Sequence, residues 1–135
     1  MKKVLVDSSV WINYFSGGAA TAILSDLIDL DLLCVNGLIL TELIPFLIRK
    51  NQNEPARLLE ELEIVPLDIN WKELVQMQVV NLARGINKVG VPDLIIAQNV
   101  IKNDLELFSL DKHFRLMSKM FGLKMFAEDI NGGKV

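Results

Sequence analysis

Short apolar, β-branched runs recur along the chain at "KVLV" (3–6), "LLCV" (32–35), "EIVPL" (63–67), "ELFSL" (106–110) and "KMFA" (124–127), and longer segments with helical spacing separate them. Strands that alternate with helices in this way build a mostly parallel central sheet flanked by helices, so the expected fold class is α/β. Leu24, Leu27, Ile28 and Leu32 share one helical face, with Asp26, Asp29 and Asp31 mostly opposite as solvated positions. Trp71, Leu74, Val75, Gln78, Val79 and Leu82 trace another helix, which Gly85 stops after Arg84. "INKVGVP" reads as a loop, and "VPDLIIAQNVIKND" starts a helix with Pro92 in its first turn, where the missing N–H costs nothing. No repeat, low-complexity tract or linker interrupts the pattern, so one domain is expected over 1–131, with 132–135 a frayed tail.

A chain of 135 residues can bury a sizeable core without disulfides or structural metal. With 51% apolar and 23% charged residues its composition is globular, and a mean hydropathy of +0.34 leaves room for a buried partner surface. The amino end opens with two lysines, but Asp7 interrupts its apolar stretch well short of a signal-peptide core. The segment "GLILTELIPFLI" carries Glu42 and Pro45 and falls short of the roughly 18 apolar residues of a spanning helix, so no membrane span is expected. A lone Cys34 forms no internal disulfide and a lone His113 builds no zinc finger, which fits a reducing cytoplasm. The formal charge of −3 argues against binding nucleic acid by bulk basicity, so such a partner must be attracted locally or through metal.

Parallel sheets bind ligands in the crevice outside the carboxyl ends of their strands. Asp7 follows "KVLV" and Asp111 follows "ELFSL", so both carboxylates are expected there. Each has a structural alternative: Asp7 can cap the helix of "SSVWINYF", Asp111 that of "KHFRLMSKM", and Asp93 can complement a helix dipole. Glu42 has apolar neighbours on nearly every helical face, so it must lie at an edge of the core, pair with a cation, or bind a metal. Together the four acids make a credible site for a hard cation such as Mg²⁺ or Mn²⁺. With them set aside the formal charge of −3 becomes +1, so a metal-loaded chain need not repel a polyanion. The matching chemistry is metal-assisted phosphodiester hydrolysis, which needs no nucleophilic side chain.

"VLVDSSVWINYF", "LTEL", "VPDLIIAQNVIKND" and "LFSLDKHF", in this order and spacing, resemble the PIN-domain ribonucleases and especially their small VapC-type toxin members. The resemblance covers nearly the whole chain. It implies a Mg²⁺- or Mn²⁺-dependent endoribonuclease whose acidic cluster is Asp7, Glu42, Asp93 and Asp111, with Ser8 and Ser109 as orienting hydroxyls. It also implies an RNA substrate, a VapB-like antitoxin and a homodimer. Two departures stand out: Pro45 one turn after Glu42, which bends the helix if it continues, and His113 where the family often carries another acid. Asp104 is read as a solvated helix end rather than a peripheral acid of the site. Rival enzymes fare worse, since no G-x-G-x-x-G follows a strand, "LVDSSV" lacks a second acid, and nothing positions Cys34 or a serine beside His113. The alternative from another class is a PIN-like fold kept as an inactive binding or scaffolding module, against which the presence of all four acids argues.

Overall fold

The computed structural model describes residues 2–126. Strands β1 (Val4–Val6), β2 (Leu33–Val35), β3 (Glu63–Ile64) and β4 (Glu106–Phe108) form one parallel sheet in the order β3-β2-β1-β4. Every residue of β1 and β2 is buried, as continuous apolar strands must be when both sheet faces are covered. Helices α1 (Ser8–Phe15) and α2 (Ala20–Asp29) connect β1 to β2, and α3 (Gly37–Arg49) and α4 (Asn53–Glu61) connect β2 to β3. Helices α5 (Trp71–Ala83) and α6 (Val91–Lys102) lead to β4, and α7 (Lys112–Phe121) follows it. The chain thus steps outward from β1 to β3 and returns to add β4 on the other side of β1. That reversal creates a switch point between β1 and β4, where the loops leaving the two strands diverge and open a crevice.

The fifth predicted strand is reduced to an isolated parallel bridge between Leu107 and Met125, held by Leu107 N–H to the Lys124 carbonyl (2.9 Å) and Phe126 N–H to the Leu107 carbonyl (2.8 Å). The last residue of that predicted strand, Ala127, and the predicted tail 132–135 lie outside the described residues. "EIVPL" pairs only through Glu63 and Ile64, and Pro66, which has no N–H for a ladder, follows soon after. Helix α3 runs through Pro45 without a break. Pro45 and Thr41 are both exposed, so the carbonyl that the proline leaves without its helical partner is available to water. In α2, Leu24 and Leu27 are buried while Asp26 and Asp29 are exposed, as the pattern requires; Leu32 lies beyond the helix, at the head of β2.

Helix α5 departs from its pattern in an informative way. It ends at Ala83, and Gly85 takes the left-handed conformation (φ 78°) expected of a stop. Its buried residues are Leu74, Met77 and Asn81, whereas Trp71, Val75, Val79 and Leu82 face solvent. The apolar stripe that traces the helix is therefore not the face the core takes. Helix α6 is the opposite case, buried without interruption from Leu94 to Val100.

A relay of buried amides ties α3 to α6. Asn36, fully buried after β2, caps α3 by accepting from Ile39 N–H (2.9 Å), and its Nδ2 donates to Asn99 Oδ1 (3.0 Å). Asn99 Nδ2 in turn donates to the Pro66 carbonyl (3.0 Å). Replacing Asn99 by Leu strands the Asn36 amide and the Pro66 carbonyl together, so Asn99→Leu should lower stability by about 2 to 3 kcal/mol in urea unfolding with an unchanged denaturant slope. A change within about 0.5 kcal/mol, typical of a surface substitution, would mean that the relay does not hold the two helices together.

Candidate active site

Asp7 occupies the next rung after β1 and is only 6% exposed. Its extended backbone (φ −69°, ψ 157°) puts it at the N-cap position of α1, yet its side chain makes no capping bond. Instead its Oδ2 accepts hydrogen bonds from the hydroxyls of Ser9 (3.0 Å) and Ser109 (2.8 Å). Each hydroxyl is fixed by a backbone amide of the β4 loop: Ser9 Oγ accepts from Leu110 N–H (3.2 Å) and Ser109 Oγ from Asp111 N–H (3.0 Å). Asp7 N–H donates to the Phe108 carbonyl (2.9 Å), continuing the ladder. The loops after β1 and β4 are thus clasped around one carboxylate, and its Oδ1 has no protein donor among the described residues.

Asp111 does what its capping role predicts. Its Oδ1 accepts from His113 N–H at the start of α7 (2.9 Å) and lies 2.8 Å from His113 Nδ1. His113 is half-buried against this acid, which accounts for it as an orienting neighbour of Asp111. Asp93 sits at the third position of α6, half-buried, where its Oδ2 accepts from Gly90 N–H (3.2 Å). Burial pushes its carboxyl above the usual range, with smaller contributions in the same direction from the charges of Asp111 and Asp7; the Gly90 bond and His113 oppose the rise. Glu42 stands on the exposed edge of α3, one of the three places its apolar surroundings allowed. Partial desolvation and then the charges of Asp7 and Asp93 raise its carboxyl as well.

Glu42 of α3 thus lies within electrostatic reach of Asp7 and Asp93, and Asp93 of α6 within reach of Asp7 and Asp111, which stand on the loops after β1 and β4. Ser109 joins them directly. Ser8, the other predicted hydroxyl, makes no side-chain hydrogen bond among the described residues; its neighbour Ser9 is the one that reaches Asp7. The sequence offers both serines, and only the direction of the first turn of α1 chooses between them. Asp104 lies apart, just before β4 begins, exposed and ion-paired with Lys2 (2.8 Å) and Lys124 (3.2 Å), which hold its carboxyl below the usual range.

The donor set is all oxygen and all acidic, the chemistry that hard divalent cations take. The acids do not close into a cage: among the described residues no group of three metal-ligating side chains is drawn up around one point. Such an open arrangement suits a cation that keeps much of its water, as Mg²⁺ does.

Residues 4–120 match the PIN domain family. The chain belongs to the PIN domain family. Solved structures share its fold: VapBC2 from Rickettsia felis bound to a DNA fragment from its promoter (15% identity, TM-score 0.70, covering 93% of this chain and 98% of that one) and DNA-bound VapBC from Salmonella typhimurium (17%, 0.69, 93% and 98%). FitAcB from Neisseria gonorrhoeae is similar over 96% of this chain and 99% of its own, at 18% identity and a TM-score of 0.72. No curated protein matches the sequence. In this PIN domain the crevice at the β1/β4 switch point is the place where the acids gather.

The raised carboxyls make stability depend on pH in the metal-free protein. Because folding lifts the pKa of Asp93 and Glu42, their cost to the fold is absent below the ordinary carboxylate range near pH 4, grows as pH rises through the raised values, and is complete above them. In EDTA at neutral pH, Asp93→Asn should be as stable as wild type or more stable by no more than about 1 kcal/mol, solvent screening included, and the difference should vanish in acid. A loss of about 2 kcal/mol or more in urea would make Asp93 a structural residue and dissolve the cluster.

Proposed function

We propose that this PIN domain is a Mg²⁺-dependent endoribonuclease, with Mn²⁺ as a substitute, that hydrolyses RNA phosphodiester bonds as the toxin of a cytoplasmic toxin–antitoxin pair. The observation that carries the reading is a group of acids left without a cation: burial and then the charges of Asp7 and Asp93 raise Glu42, burial and then the charges of Asp111 and Asp7 raise Asp93, and no lysine or arginine pairs with any of the four among the described residues. A structural cluster of acids is normally neutralised by cations of the protein; this one is left to be neutralised by a ligand. Asp7, Glu42, Asp93 and Asp111 would hold the cation. When bound it supplies Lewis-acid activation of water and charge neutralisation at the scissile phosphate.

The chain's own residues supply orientation. Ser9 and Ser109 fix Asp7 through Oδ2 and leave Oδ1 for the ligand. His113 does the same for Asp111, occupying Oδ1. Gly90 N–H holds Asp93 at the mouth of α6. Glu42, on the far wall, is positioned by the Asn36 cap of its helix. VapB-like antitoxin and a second copy of this chain are the proposed protein partners. The structural relatives include VapBC complexes, and among the described residues no helix is long and apolar enough to cross a membrane.

Cleavage of a single-stranded RNA should require Mg²⁺ or Mn²⁺ and cease in excess EDTA. Asp93→Asn, which keeps the shape and the Gly90 bond, should lose cleavage by at least about a hundredfold, the scale of a lost electrostatic contact to the transition state. Undiminished cleavage in EDTA would sink the mechanism, and a chain that neither cleaves RNA nor binds divalent cations would be a scaffolding PIN domain instead.

Mass action gives a second check. Wild type should unfold at higher urea in saturating Mg²⁺ than in EDTA, and Asp111→Asn, which keeps a competent N-cap, should gain much less. Equal gains in both proteins would remove Asp111 from the site.

A further inference from the structure

Gln78 of α5 lines an open groove of ≈ 390 Å³ between α5 and α6, and apart from it the described residues of that lining, Val75, Val79 and Val91 among them, are hydrophobic. Packing alone would set an aliphatic side chain there, because a primary amide costs more to withdraw from water. Both ends of the amide are engaged. Its Nε2 donates to the Val89 carbonyl (2.7 Å), and its Oε1 accepts from Asn81 Nδ2 (3.1 Å), one turn along the same helical face. Asn81 is fully buried and leaves its Oδ1 without a partner among the described residues, a cost that an apolar residue of similar size would avoid. The Val89 carbonyl and the Gly90 N–H are the two ends of one planar peptide group, so whatever holds the first aims the second. That N–H is the donor to Asp93 Oδ2 (3.2 Å). The bonds run head to tail, from Asn81 to Gln78, from Gln78 to the peptide, and from the peptide to the acid. Each polarises the next.

We propose that Gln78 is a positioning residue that locks the Val89–Gly90 peptide and so fixes the orientation of the Asp93 carboxylate. The peptide needs a lock because of the residue that follows it. Residues 86–90 form no helix or strand, and Gly90 (φ −82°) has no Cβ to oppose the positive φ that a reversed peptide would give it. Reversal turns the N–H away from Asp93 and puts a carbonyl oxygen in its place. Among the described residues, Gln78 is the partner that the Val89 carbonyl has against that rotation. The consequence for cation binding rests on the nuclease reading above, whereas the positioning itself does not.

Gln78→Leu keeps a similar volume in the groove and removes the donor. In NMR spectra of the metal-free chain, the Gly90 amide proton should then move upfield and exchange with solvent about tenfold faster, the scale of one lost hydrogen bond. Should that variant fail to fold, Gln78→Glu decides: it keeps the Asn81 bond, cannot donate to Val89 once ionised, and should give the same two changes. Gly90→Ala, whose added Cβ would lie 3.5 Å from Pro92 Cδ in ordinary contact, disfavours the reversed peptide. On the Gln78→Leu background it should return exchange at position 90 to the level of Gly90→Ala alone. A glutamine that merely packs α5 would affect stability and leave the amide where it is. The Mn²⁺ concentration that half-saturates stabilisation against urea should rise several-fold in Gln78→Leu. If Mn²⁺ does not stabilise wild type at all, the nuclease reading falls and the amide alone decides the positioning. An unmoved Gly90 amide in the variant, no restoration by Gly90→Ala, or an unchanged Mn²⁺ requirement in a chain that binds the ion overturns the proposal.

Discussion

A nearly buried carboxylate held by neutral donors is the constraint on which the crevice depends. Asp7 is removed from water at the end of the central strand, where an unpaired charge is costly. Two serine hydroxyls, rather than a lysine or arginine, receive it. Each offers a hydrogen bond without cancelling the charge, so the fold holds Asp7 in place and keeps its field. The same two hydroxyls accept from the β4 loop, which couples the position of this charge to the pairing of β1 with β4. Removing either strand from its place would unfasten the loop that carries Asp111.

The other wall of the crevice is set by an equally neutral device. Glu42 and Asp93 lie on helices that repel one another through these side chains, and the Asn36–Asn99–Pro66 relay holds α3 and α6 at their spacing. With both Oδ1 and Nδ2 of each side chain bonded, the two amides also fix a single register between the helices. Function and stability therefore pull in opposite directions only at the acids, and the polar bonds that resist the repulsion lie one layer beneath them.

Much of this arrangement was legible in the chain. Apolar runs of strand length, each followed by a helical segment, specify the parallel sheet, and an acid directly after a buried strand has little reason to be there except the crevice. Asp7 could be placed in that way because it directly follows β1, whereas β4 ends at Phe108, short of the predicted Leu110, and two loop residues separate it from Asp111. Glu42 and Asp93 were readable only as anomalies, one a carboxylate in an oily helix and one an acid in a first turn. Their convergence depends on helix packing that no local pattern encodes. The choice of Ser9 over Ser8 turns on a rotation of about 100° at the start of one helix, below what spacing resolves. The relay escaped notice for a similar reason: asparagine at a cap is ordinary, and its partner lies 63 positions away.

Helix α5 shows the limit of periodicity most clearly. Hydrophobic spacing identifies the helix correctly because its apolar residues follow a helical repeat, but it cannot say what covers the stripe. The protein's own core takes Leu74, Met77 and Asn81, a face rotated away from the strongest apolar arc. The explanation lies in α6, whose residues from Leu94 to Val100 are buried on every side. A helix enclosed in this way leaves its neighbour only a flank to pack on, and the rest of the apolar arc of α5 is displaced into the groove. Val91, in that groove, is two residues before Asp93 on the same helix. The rigid element that presents an acid to the crevice thus also forms one edge of the exposed apolar surface, and whatever seats on that surface bears on the helix turn that carries the acid.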